Sequence, residues 1–151
     1  MVQSQPVGQK PFILRFEDIR LADVARVGGK NASLGEMIGT LGEKGVRVPG
    51  GFATTAAAYW ALLDGNGLPE KMRHAVDLFH NGKAALHEVG TEIRELLLNA
   101  QLPANLEDEI GQAYSSLCAE AGDNNLSVAV RSSATAEDLP QASFAGQQRL
   151  S

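Results

Sequence analysis

Short apolar runs lie near both ends of the chain, and helical stripes fill the stretch between them. Phe12-Ile13-Leu14-Arg15-Phe16 is brief, aromatic and partly alternating, which predicts a strand. Residues 1–11 are polar, hold Pro6 and Pro11, and form a loose leader ahead of it. Glu17 to Arg26 carries no decisive period. Val27-Gly28-Gly29-Lys30-Asn31-Ala32-Ser33 reads as a glycine-led turn into a helix, with Ser33 and Glu36 at capping-box spacing. Leu34, Met37, Ile38 and Leu41 then recur at helical intervals, and Gly45 stands where such a helix closes. Val46 to Thr54 predicts a short strand interrupted by Pro49-Gly50-Gly51.

Thr55 to Asp64 predicts a helix with Tyr59, Trp60 and Leu63 inward, ended by Asp64-Gly65-Asn66-Gly67. Three further stripes predict a mid-chain helical bundle: Leu68, Met72, Val76 and Phe79; Val89, Ile93, Leu96 and Leu97; Leu106, Ile110, Ala113 and Leu117, opened by Pro103 and Asn105. After the Asn124-Asn125 turn, Leu126-Ser127-Val128-Ala129-Val130 alternates and is β-branched, so a strand with Leu126, Val128 and Val130 on one face is expected. Ser143 to Gln148 reads as its returning partner. The fold class is therefore α+β: a small, mostly antiparallel sheet from the Phe12, Phe52, Val128 and Phe144 segments, with helices packed against and beside it.

Composition narrows the function. The chain of 151 residues fits one domain, and 44% hydrophobic with 21% charged residues is globular. No apolar run is long enough to span a membrane, and the first twenty residues lack the charged start and apolar block of a secretory signal. Cys118 alone excludes an internal disulfide and a multi-cysteine zinc site, and a reducing cytoplasm is the expected compartment. A net charge of −5 argues against nucleic acid and anionic membranes as partners. A small anionic ligand needs only one or two local cations and backbone amides, so it stays open.

Glycine is over-represented, with 16 residues, and directs attention to its turns. At Gly28-Gly29-Lys30-Asn31 a helix start offers unpaired N–H groups and partial positive charge, glycines admit close approach, and a lysine adds a full charge, the parts of an anion site. It is not a Walker A loop, and the same residues also suit a plain turn with a solvated lysine. At Arg131-Ser132-Ser133-Ala134-Thr135 a predicted strand runs into an arginine and a hydroxyl-rich loop, which suits phosphate oxygens. An arginine paired with Glu137 or Asp138, beside hydroxyls that cap a helix, is the alternative. Phe144-Ala145-Gly146-Gln147-Gln148 could fold over a ligand or place Phe144 in the core. His74, His80 and His87 lack the spacing of metal ligands and read as surface residues, and Cys118 as a buried small hydrophobe.

Taken in order, VGGKNASLGEM, VPGGFATT and VAVRSSATAEDLPQASFAGQQ resemble the N-terminal nucleotide-binding region of the phosphoenolpyruvate synthase (pyruvate, water dikinase) family, across most of residues 12–148. Pyruvate, phosphate dikinase and rifampicin phosphotransferase share variants of these motifs. The resemblance implies that residues 12–151 are the first lobe of an ATP-grasp nucleotide-binding domain with a helical insertion. It implies that Lys30 and Arg131 contact ATP phosphates and that Gly146 lies in a loop near the nucleotide, with Gly29, Ser132, Ser133 and Thr135 as secondary candidates. In that family the complete enzyme passes ATP's β-phosphate through a phosphohistidine to pyruvate, yielding phosphoenolpyruvate, AMP and phosphate. After GQQ, family members continue with a Glu-Thr-Tyr-Leu-Asn-like strand, whereas this chain reads Arg149-Leu150-Ser151. The second lobe with its adenine pocket and Mg2+ carboxylates, the phosphocarrier histidine domain and the pyruvate-binding barrel have no counterpart here. A fragment is therefore expected. It would hold no catalytic residue and no metal ligand, be inactive alone, and have the missing lobe as its partner. The alternatives are a rifampicin phosphotransferase-like lobe and a stand-alone nucleotide-binding or regulatory module.

Overall fold

In the computed structural model, residues 10–135 are described. The first predicted strand is present as β1 (Ile13–Arg15) and pairs antiparallel with β2 (Phe52–Thr54), Leu14 opposite Ala53. Among the described residues this two-stranded ladder is the whole sheet. Leu126–Val130, expected as a third strand, forms no ladder with the described residues, and Val130 is 91% exposed. Alternation supplies a face, but a strand also needs backbone partners. The predicted returning strand at 143–148 and most of the leader lie outside the described residues.

The ambiguous stretch after β1 forms two single 3-10 turns, Phe16–Asp18 and Leu21–Asp23, and then the one-turn helix α1 (Val24–Val27). This compact path swings the chain under α2 (Gly29–Glu43). The apolar stripe predicted for α2 is not its innermost face. Its buried residues are Gly29, Ala32 and Gly35, whereas Met37 is 47% exposed. The reason is backbone proximity. A Cβ on Gly35 would lie 2.6 Å from Ile19 Cβ and 2.7 Å from the Ile19 carbonyl oxygen, and Ile19 is fully buried. One turn further, a Cβ on Gly39 would lie 3.2 Å from the Arg20 guanidinium carbon. The core at this junction joins Ile19, Val27, Ala32 and Ala53, with Leu14, Phe16 and Val24 packed around them. Gly45 ends α2 as predicted, at φ +76°, with Val46 N–H donating to the Leu41 carbonyl at 2.9 Å and Gly45 N–H to Gly42 at 3.0 Å.

Thr55 starts α3 (Ala56–Gly65) and is itself buried. Its hydroxyl donates to the Pro11 carbonyl at 2.6 Å and accepts from Ala58 N–H at 3.4 Å, so one side chain ties the approach to β1 to the cap of a helix. Leu63 and Ala58 face inward on α3, but Tyr59 and Trp60 do not: they are 47% and 55% exposed and meet edge to face. The segment Ala-Ala-Ala-Tyr-Trp-Ala-Leu-Leu is apolar all round, so its period cannot choose a face. Contacts with α1 and α4 (Leu68–His80) do.

α4 and α5 (Leu86–Leu98) pack on one another as a helical hairpin. Leu68 and Ala75 are buried on α4, while the predicted Val76 and Phe79 are over a third exposed. Asn66 accepts from Gln101 N–H at 2.9 Å and donates to its carbonyl at 2.8 Å, joining the start of this hairpin to its exit. α6 (Ala104–Ala121) buries Leu106, Leu117 and Cys118 and reaches back to β1, where Arg15 Nη2 meets both Glu120 oxygens at 2.6 and 2.7 Å.

Gly35→Ala should therefore lower stability by about 1–3 kcal/mol, through overpacking against Ile19. Gly111→Ala, in α6 with no neighbour near its missing Cβ, should raise it by about 0.5–1 kcal/mol. Urea denaturation of the two variants measures both; equal effects would refute the close-approach account.

Candidate functional site

The two motif turns meet. α1 ends at Val27 and α2 begins at Gly29, four residues before the predicted Ser33 cap. Gly28 between them has φ +83° and ψ 164°, a conformation open in practice to glycine alone. Ser33 is exposed and makes no cap, and Glu36, its supposed capping-box partner, instead accepts from Leu21 N–H at 3.1 Å. Lys30 consequently stands in the first turn of α2 with its side chain exposed. Asn31 anchors that turn by donating from Nδ2 to the Val27 carbonyl at 2.9 Å.

The second motif crosses this helix start. Gly29 N–H donates to the Ala134 carbonyl at 3.3 Å, and Asn31 N–H donates to Ser133 Oγ at 3.4 Å. A Cβ on Gly28 would lie 2.3 Å from Ser133 Oγ and 2.9 Å from the Ser133 carbonyl carbon. The close approach that Gly28 permits is thus taken by the chain itself. This corrects the expectation that the helix start offers open amides at Gly29 and Asn31: the 131–135 segment engages both. Ser133 and Ala134 are half-buried by the contact, while Arg131, Ser132 and Thr135 stay exposed.

Chemically, the junction gathers the partial positive charge of the α2 start, the Lys30 ammonium and the Arg131 guanidinium on two touching turns. Of the predicted site residues, Gly29, Lys30, Arg131, Ser132, Ser133 and Thr135 all lie on these two turns. Gly146, and Glu137 and Asp138 as alternative partners of Arg131, lie outside the described residues. Sequence reasoning placed Ser133 among the secondary candidates and missed that it is the contact residue. The signal was the Gly-Gly pair, since a glycine ahead of a helix often marks close approach by another backbone.

The remaining chemistry-bearing side chains stand apart. His74, His80 and His87 are exposed, and no group of three or more acidic, histidine or cysteine side chains is placed to hold a metal among the described residues. A shallow pocket of about 280 Å³ on α4 and α5, lined by Leu68, Lys71, Glu92, Glu95 and Leu96 among others, contains none of the candidate residues. Tyr114 donates to the Leu126 carbonyl at 2.9 Å, and its own pKa is raised, first by a hydrogen bond with buried Cys118 and then by desolvation. Asp23, in the turn that feeds α1, accepts from Arg20 N–H at 2.9 Å and pairs with Arg26 at 3.0 Å. The Arg20 backbone N–H chiefly, with help from Arg26 and against a desolvation penalty, holds its carboxyl below the ordinary 3.8.

Comparison with known proteins gives consistent matches. The family model described as pyruvate phosphate dikinase, AMP/ATP-binding domain, matches residues 24–150. The phosphoenolpyruvate synthase of Neisseria meningitidis is 58% identical over 91% of this chain and 17% of its own length. That of Synechocystis is 52% identical over 98% of the chain and 19% of its own length, and that of Escherichia coli 46% over 93% and 18%. The chain thus spans less than a fifth of the length of these curated relatives.

Because Asp23's pKa is depressed on folding, the stability it contributes is complete above the ordinary carboxylate range and fades as pH falls through its lowered value. Asp23→Asn should lower stability at pH 7 and flatten its decline between pH 5 and about pH 3. Urea midpoints across that range test it; parallel curves for the two proteins would refute it.

Proposed function

The chain belongs to the pyruvate phosphate dikinase AMP/ATP-binding domain family, and from that premise we propose that it supplies part of the ATP phosphate-binding site of a phosphoenolpyruvate synthase. Lys30 provides a point charge and Arg131 a planar fork of donors, complementary ways to hold a polyphosphate tail. Ser132 and Thr135 add hydroxyls on the same turn, and the family resemblance adds Gly146 as a further candidate for contact with the nucleotide. Residues 12–151 act as the first lobe of an ATP-grasp domain, in a cytoplasmic enzyme. No helix among the described residues is long and apolar enough to cross a membrane.

The observation that carries this reading is the seating of Ser133 against Gly28, because it puts the lysine-bearing and arginine-bearing turns side by side. The residues fit a polyphosphate: the exposed side chains on both turns are cations and hydroxyls. The Mg2+ that accompanies ATP would draw its ligands from carboxylates elsewhere in the enzyme, where it would neutralise phosphate charge. In the complete enzyme the β-phosphate of ATP would pass through a phosphohistidine to pyruvate, giving phosphoenolpyruvate, AMP and phosphate. Every relative named above is a phosphoenolpyruvate synthase, which favours pyruvate over an antibiotic as acceptor. Alone, the chain holds half a site and turns nothing over.

Titration of ATP with Mg2+ into the isolated chain should give weak binding and no AMP. Submicromolar affinity, or AMP release, would overturn the half-site reading. In a full-length synthase carrying this segment, Lys30→Ala or Arg131→Ala should slow the ATP half-reaction by about 10- to 100-fold, the loss of one charge-assisted contact. Unchanged kinetics would overturn the assigned roles.

A further inference from the structure

We infer that Ser133 is a positioning residue for the phosphate site, latching the Arg131 turn onto the start of α2 and so fixing where that arginine stands relative to Lys30. The inference rests on the phosphate-binding reading above and adds to it a residue that acts through others.

Three observations carry it. Asn31 is the third residue of α2, so its N–H has no acceptor within the helix. Ser133 Oγ is the acceptor that it has, at 3.4 Å. Gly29 N–H is likewise an orphan of the helix start, and the next residue of the latch, Ala134, accepts from it at 3.3 Å. The space a side chain at Gly28 would fill is occupied by Ser133 Oγ itself. Two long hydrogen bonds and one close packing contact hold a segment that forms no strand among the described residues. The latch thus contributes to where the segment stands on the helix start. Arg131 stands two residues before Ser133, and Lys30 stands between the two amide donors, Gly29 and Asn31. Any slip of the latch would change the distance between the two cations. A polyphosphate reads that distance, because it must satisfy both at once.

The test uses the 151-residue chain, with ATP and Mg2+ as the probe and NMR as the readout. In Ser133→Ala, amide exchange at Asn31 should speed up about three- to tenfold, while Ala58, in α3, keeps its rate. The Kd for ATP, read from shifts at Lys30 and Arg131, should rise by about three- to tenfold with the melting temperature nearly unchanged. Gly28→Ala, which blocks the seat sterically, should reproduce the weaker binding. If it fails to fold, Ser133→Ala decides alone. Unchanged exchange at Asn31 or an unchanged Kd in Ser133→Ala overturns the latch. Should ATP bind the wild type and weaken on Lys30→Ala but not on Ser133→Ala, the latch falls while the phosphate reading stands. If millimolar ATP shifts neither cation in the wild type, the phosphate reading falls and takes the latch with it.

Discussion

The near-absence of side chains along one edge of α2 is the constraint on which the rest of this structure depends. Gly28, Ala32, Gly35 and Gly39 line that edge, and two segments use the space: Ser133 at Gly28, and the neighbouring Ile19 and Arg20 at Gly35 and Gly39. Helices usually bury large apolar groups, and the hydrophobic effect rewards that. Here the large groups come from the partner. Ile19 inserts where α2 offers no Cβ, so backbone approaches backbone and the turns at 16–23 gain a fixed seat. Those turns in turn set the entry to α1 and hence the pose of Gly28 ahead of the lysine.

Electrostatics follows from this packing. The start of α2 would ordinarily attract an anion through its own amides. In this chain the 131–135 segment takes the Gly29 and Asn31 amides, so under the proposed function recognition would rest on side chains carried by both turns. A backbone cradle selects any compact anion. Two cations on separate turns, as proposed, would select for length and charge spacing, as a nucleotide's phosphate chain presents. The overall charge of −5 sets the two cationic side chains of the junction against a net acidic chain.

Much of this was legible in the residues. Helical periods located α2 to α6, with Gly45 and Thr55 marking a stop and a start near their observed places. The family was legible in three ordered motifs. What escaped was tertiary. The inner face of α2 could not be read, because a period in large residues hides the case in which glycine is the contact. The Ser33–Glu36 spacing suggested a cap, yet Glu36 spends its carboxylate on the Leu21 amide across the junction. Trp60 faces solvent because an all-apolar helix leaves the choice of face to its neighbours. Leu126–Val130 alternates without a partner among the described residues, and alternation alone makes no ladder. The candidate cations were suggested by motif and charge, and their two turns proved adjacent.

The three-rung ladder between β1 and β2 has a kinetic consequence. Its strands are separated in the chain by both 3-10 turns, α1 and α2, so pairing them means closing a long loop for few hydrogen bonds. Loop-closure entropy makes such a ladder a poor nucleus, so it is expected to form after α2 docks over Ile19. Thr55, bonded to the Pro11 carbonyl on one side and capping α3 on the other, clasps the two ends of that long loop.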